Sequence, residues 1–161
     1  MGNKAFRHVP LLLILTLFYL SGCGLFSTES DGETLPIEGK ILFSVLQDPS
    51  ATPTPAVRLS MQTEKTYGCI NYLIDHNLFP FGKVIRINLK GIYLPENICL
   101  TALGRAGASR QMELGDGTYM LQFSYKNKSD QYFLAISGSD IQIAPIQASF
   151  TKEDTTLCLS R

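Results

Sequence analysis

The stretch VIRINLKGIYL, Val84 to Leu94, alternates residue by residue: Ile85, Ile87 and Leu89 fall on one face, Arg86, Asn88 and Lys90 on the other. Successive side chains of an extended chain point to opposite sides, so this pattern describes a strand with one face on a core and one in water. TYMLQFSY, Thr118 to Tyr125, repeats the signal, with Tyr119, Leu121, Phe123 and Tyr125 opposite Met120, Gln122 and Ser124. QYFLAIS and IQIAPIQASF add shorter runs. Between them GDG, KNKSD and SGSD supply the Gly, Asn and Asp that tight turns tolerate. Beyond the N-terminal apolar run, no segment sustains an apolar repeat three and four residues apart with capping residues. About seven to nine short strands separated by turns predict an all-β fold, a β-sandwich in preference to a barrel. Pro145 marks an edge strand or one that bends between sheets.

MELGDGTYMLQFSY, Met112 to Tyr125, resembles the L-x-x-G-x-Y-x-L strand-turn-strand of prealbumin-like and other immunoglobulin-like modules, with Leu114, Gly117, Tyr119 and Leu121 at the matching positions. The resemblance covers 14 residues. It implies an immunoglobulin-like or prealbumin-like β-sandwich in which the glycine turns the chain and the tyrosine and leucine face the core. It implies no activity.

The chain opens differently. Lys4 and Arg7 precede an apolar run from Val9 to Leu20, and no acidic residue occurs before Glu29. A run of about a dozen residues is well short of the ~20 that a spanning helix requires. Positive, apolar, then small is the order of a secretory signal peptide. Leu20-Ser21-Gly22-Cys23 resembles the lipobox of bacterial lipoproteins. In that family the cysteine sulfur receives a diacylglycerol, cleavage occurs just before the cysteine, and the freed amine is often acylated. The expected organisation is a signal helix over 1–22, a flexible tether over 23–36, polar and acidic after its first residues, and a sandwich over 37–161. Phe6 stands where a myristoylation motif needs Ser or Thr, which removes that use of Gly2.

Cleavage before Cys23 leaves 161 less 22, or 139 residues, a length suited to one domain with one core. Of 14 basic side chains, loss of Lys4 and Arg7 leaves 12 against 14 acidic ones. Scattered charges near balance give no electrostatic reason to bind nucleic acid. With Cys23 lipidated, Cys69, Cys99 and Cys158 remain. An oxidising compartment admits one disulfide among them. Cys69 with Cys99 is the expected pair because both border strand patterns; pairing with Cys158 and three buried thiols are the alternatives.

The chemistry-bearing residues are few. His76 is the only histidine after Cys23, so multi-histidine metal sites are excluded and any Ser-His-Asp or Cys-His machinery would depend on it alone. Asp75 beside it would point to the opposite face of a strand. We read His76 as a solvent-exposed turn residue. No G-x-S-x-G elbow, calcium loop or phosphate loop occurs. Glu153-Asp154 reads as a solvated pair, and sequence does not show which other carboxylates converge into a glycosidase-type dyad. The absence of tryptophan disfavours a sugar-stacking platform. No metal or cofactor is expected.

One feature invites a partner. HNLFPFGK, His76 to Lys83, sets Leu78, Phe79 and Phe81 around Pro80 between two strand patterns, and apolar loop residues either plug a core or meet a partner. The expected protein is a non-enzymatic lipoprotein of the bacterial envelope, held to a membrane by its lipid and binding an envelope protein. The alternative is an inhibitor of a hydrolase such as lysozyme or a protease, with this loop in the enzyme's cleft. Gly24, rather than Asp, after the lipidated cysteine would favour the outer membrane where such a sorting rule operates.

Overall fold

The computed structural model describes residues 34–48, 56–95 and 98–158. The expected signal helix, the expected lipidation site Cys23, most of the expected tether and most of the proline-bearing stretch after Gln47 lie outside them. The described chain is all-β. Its nine strands are β1 (Ile41–Gln47), β2 (Val57–Cys69), β3 (Leu73–Phe81), β4 (Val84–Tyr93), β5 (Thr101–Met112), β6 (Gly117–Tyr125), β7 (Lys128–Ser137), β8 (Asp140–Gln147) and β9 (Thr151–Glu153). A 3-10 turn over Thr155–Cys158 follows.

All nine join one mixed sheet in the order β8-β7-β6-β4-β3-β5-β2-β1-β9. The alternation read in the sequence is the alternation of burial. Ile85, Ile87, Leu121 and Phe123 are fully buried, while Arg86, Asn88 and Lys90 face water. Turns fall at Lys126–Asn127 and at Gly138–Ser139, inside the segments whose composition predicted them. Pro145 lies in β8, the strand at one end of the ladder, where its missing N–H breaks no ladder bond on the outer side.

The ladder has one weak joint. β3 and β5 run parallel and pair only through Leu73 and Gly107, where the Gly107 N–H donates to the Tyr72 carbonyl at 3.2 Å. This joint divides the sheet into β8-β7-β6-β4-β3 and β5-β2-β1-β9. The two groups face each other. Phe43 of β1 has its ring 4.7 Å from Phe123 of β6 and 4.8 Å from Tyr132 of β7, five and six places away along the ladder. The sheet therefore rolls over a single core and its two ends nearly meet.

A buried carboxylate closes that approach. Asp130 of β7 has no solvent exposure, and the chain passing from β8 to β9 wraps around it. The Ser149, Phe150 and Thr151 amides and the Ser149 and Thr151 hydroxyls all donate to it, at 2.7–2.9 Å. Burial pushes its carboxyl upward, but the donors from Ser149 and Thr151 outweigh this and hold it below its ordinary value of 3.8. Tyr132, one inward position further on, shares a 2.9 Å hydroxyl bond with Thr151. Closure here is made by side chains where a backbone ladder is missing.

The N-terminal part of the described chain is also tied down. Leu35 and Ile92 exchange two backbone bonds of 2.7 and 2.9 Å, which fasten Leu35, within the expected tether, to β4.

Candidate functional site

Beyond the Leu73–Gly107 joint, β3 and β5 part and leave a cleft of about 360 Å³. Its walls are Leu73, Ile74, Asp75 and His76 of β3, Gly107 to Arg110 of β5, and Tyr93 at the end of β4. Parity explains the chemistry of the lining. On β3 the buried positions are Ile74 and His76, with Leu78 half-buried against the core; on β5 Ala106 and Met112 are buried and Ala108 half-buried, while Arg110, on the same parity, is exposed at the cleft. A histidine and an arginine thus occupy core-parity positions. They are tolerated because the opening admits water to one side of them.

His76 is not the exposed turn residue the sequence led us to expect. It lies in mid-strand and is only 9% exposed. Its neighbour Asp75 is half-buried on the opposite parity, in keeping with strand geometry. Both ring nitrogens of His76 are engaged. Nδ1 lies 3.0 Å from the Ile74 carbonyl and, as the donor there, carries the proton, so Nε2 accepts from Arg110 Nε–H at 3.3 Å. An imidazole held this way has no free lone pair for a nucleophile or a substrate proton. It orients a guanidinium instead. Among the described residues no carboxylate pairs with Arg110; Arg58 pairs with Asp48 and Lys65 with Glu38.

The segment expected to meet a partner also differs from its expected form. HNLFPFGK is not a loop between strands but the end of β3 and a two-residue turn, Gly82-Lys83, leading into β4. Gly82 sits at φ 59°, the left-handed region that favours glycine. Alternation then separates the three apolar residues. Leu78 turns inward and packs on the core, whereas Phe79 and Phe81 are 55% and 73% exposed. The Arg86 guanidinium lies 5.9 Å from the Phe81 ring. Of the three, only the two phenylalanines are exposed.

At the opposite end of β3 a second apolar group surrounds the disulfide. Cys69 and Cys99 are bonded, with their Cα atoms 5.3 Å apart. Asn71 clasps the same segment, donating to the Ile98 carbonyl at 2.6 Å and accepting from the Leu100 amide at 3.1 Å. Ile70, Ile98, Leu100 and Leu103 are all exposed there. Gly104 permits the close fold, because a Cβ on it would lie 2.7 Å from the Ile70 Cα.

Among the described residues no group of three or more His, Cys, Asp or Glu side chains is placed to hold a metal, and no helix is long and apolar enough to cross a membrane. Arg110 and Asp130 were missed in the sequence; for Asp130 a signal existed, since like His76 it is a polar residue at an inward position of a strand pattern, whereas Arg110 is exposed in a strand without regular alternation. Compared with protein families, curated proteins and solved structures, the chain matches none of them.

Proposed function

We propose that this chain is a bacterial lipoprotein, cleaved before Cys23, acylated there, and held at the cell envelope as a non-enzymatic binding module. The observation that carries the binding role is the His76–Arg110 pair: the only histidine after Cys23 has both nitrogens committed and fixes, at the mouth of a cleft, a guanidinium that no carboxylate among the described residues pairs with. Such an arrangement recognises a ligand and lacks a free base to transform one. Anchoring rests on the Leu20-Ser21-Gly22-Cys23 motif, with Gly24 favouring the outer membrane. Each buried CH₂ of a lipid contributes ~0.8 kcal/mol, so two or three chains retain a protein that one holds only marginally. Confinement then raises the local concentration of weak partners. Feeding cells labelled palmitate should mark the protein, and Cys23→Ser should abolish the label; an unlabelled wild-type chain would sink the reading.

The finer fold belongs to the same proposal: a sandwich of the immunoglobulin-like or prealbumin-like kind. The Phe43 contacts across the core support it. So does Tyr119, whose hydroxyl donates to the Gly115 carbonyl four residues upstream at 2.9 Å, much as the corner tyrosine of such sandwiches bonds back to the chain.

A second reading is favoured by the exposed Phe79 and Phe81 at the β3–β4 turn, which suit insertion into a hydrolase cleft. Inhibition of a lysozyme or a protease at micromolar concentration, lost in the Phe79→Ser, Phe81→Ser double variant, would establish it.

A further inference from the structure

The geometry points to a ligand class for the β3–β5 cleft: a carboxylate bearing a short aliphatic group. This rests on the binding reading above and deepens it. Arg110 reaches the cleft from β5 with its Nε–H already given to His76, so the two terminal nitrogens remain as a planar fork. Two parallel N–H donors match the two oxygens of a carboxylate. The buried imidazole limits rotation of the fork, so less freedom is lost when the ligand arrives.

Charge selects within the anions. Among the described residues Arg110 is the one cationic side chain of the lining. One guanidinium balances one carboxylate; a phosphate dianion would remain under-neutralised. The rest of the lining selects the other end of the ligand. Leu73, Ile74, Ala108 and Tyr93 give apolar walls, and about 360 Å³ lies at the small end of ligand pockets, enough for a short aliphatic group. The carboxylate has two possible sources, a free small acid or the C-terminus of a polypeptide chain.

The test is titration of the full purified chain, following the Arg110 Nε–H resonance by nitrogen-proton NMR. Butyrate, butanamide, inorganic phosphate, and a Val-Thr-Val-Thr-Val peptide as free acid or amide are the probes. The expected result is a saturable shift with butyrate, none with butanamide or phosphate, and at least a tenfold weaker response in Arg110→Gln, read on the Ile74 and Ala108 amides. His76→Phe should weaken butyrate binding as well while leaving the melting temperature of its Arg110→Gln double variant unchanged relative to His76→Phe alone. A free-acid peptide binding tenfold more tightly than butyrate, with its amide inert, assigns the source to a chain terminus; equal affinity assigns it to a small acid. Equal responses to butyrate and butanamide, phosphate binding as tightly as butyrate, a full butyrate response in Arg110→Gln, or no saturable response to any probe would overturn the assignment. None of these outcomes depends on the lipid, so palmitate labelling of Cys23 stands or falls separately.

Discussion

Asp130 is the residue on which closure of the fold turns. It receives hydrogen bonds from three amides and two hydroxyls, and hydrogen bonds to a charged group each contribute about 1.5–3 kcal/mol. Asp130→Ala leaves the Phe150 and Thr151 donors buried and unpaired, so we expect a loss of roughly 3 kcal/mol or more, read from urea unfolding. The pH dependence has a definite sign. A carboxyl held below its ordinary value contributes its full stabilisation above pH 3.8 and loses it as pH falls through the lower folded value. Glu153 acts oppositely, because burial raises its carboxyl above 4.5 and protonation removes a penalty. On acidification the contributions of these two groups should rise slightly near and above pH 4.5, then fall below pH 3.8. Glu153→Gln should erase the first limb and Asp130→Asn the second.

At the scale of elements, the β3–β4 hairpin and the disulfide-bound end of β2 behave differently. Phe79 and Phe81 are largely exposed, so their replacement by Ser should leave the melting temperature nearly unchanged, whereas Leu78→Ala should cost about 2 kcal/mol. Equal destabilisation by both changes would show that the phenylalanines are core. The Cys69–Cys99 bond spans 30 residues, for which the chain-entropy relation gives about 3–4 kcal/mol. Calorimetry with and without reductant should register that loss. Gly104→Val places a side chain against the Ile70 backbone and should cost about 1–3 kcal/mol by overpacking. These elements were unevenly legible. Hairpin turns announce themselves through Gly and Asn, but HNLFPFGK read as a loop because proline and aromatic crowding obscured a strand that alternates regularly. Pro80 is accommodated because the β5-facing side of β3 is unpaired at that point.

At the scale of the whole molecule, the two strand groups form one cooperative body in spite of their single backbone joint. Phe43, Phe123 and Tyr132 pack across the core, so the groups share its aromatic centre. Phe43→Ala should therefore cost roughly 3–5 kcal/mol and lower amide protection in β6 and β7 as much as in β1 and β2. Loss confined to β1 and β2 would mean that the groups unfold independently. What the amino-acid order determined by itself was local: which segments extend, which face of each is apolar, where the chain turns, and the all-β class. Those follow from a two-residue period carried most clearly by β2, β4, β6 and β7. The order of strands, the parting of β3 from β5, the meeting of His76 with Arg110 34 residues apart, and the grip of Asp130 on Ser149 to Thr151 were decided only in three dimensions. Pairing between distant strands depends on backbone groups that all residues share and on packing across a core, and no period along the chain encodes either.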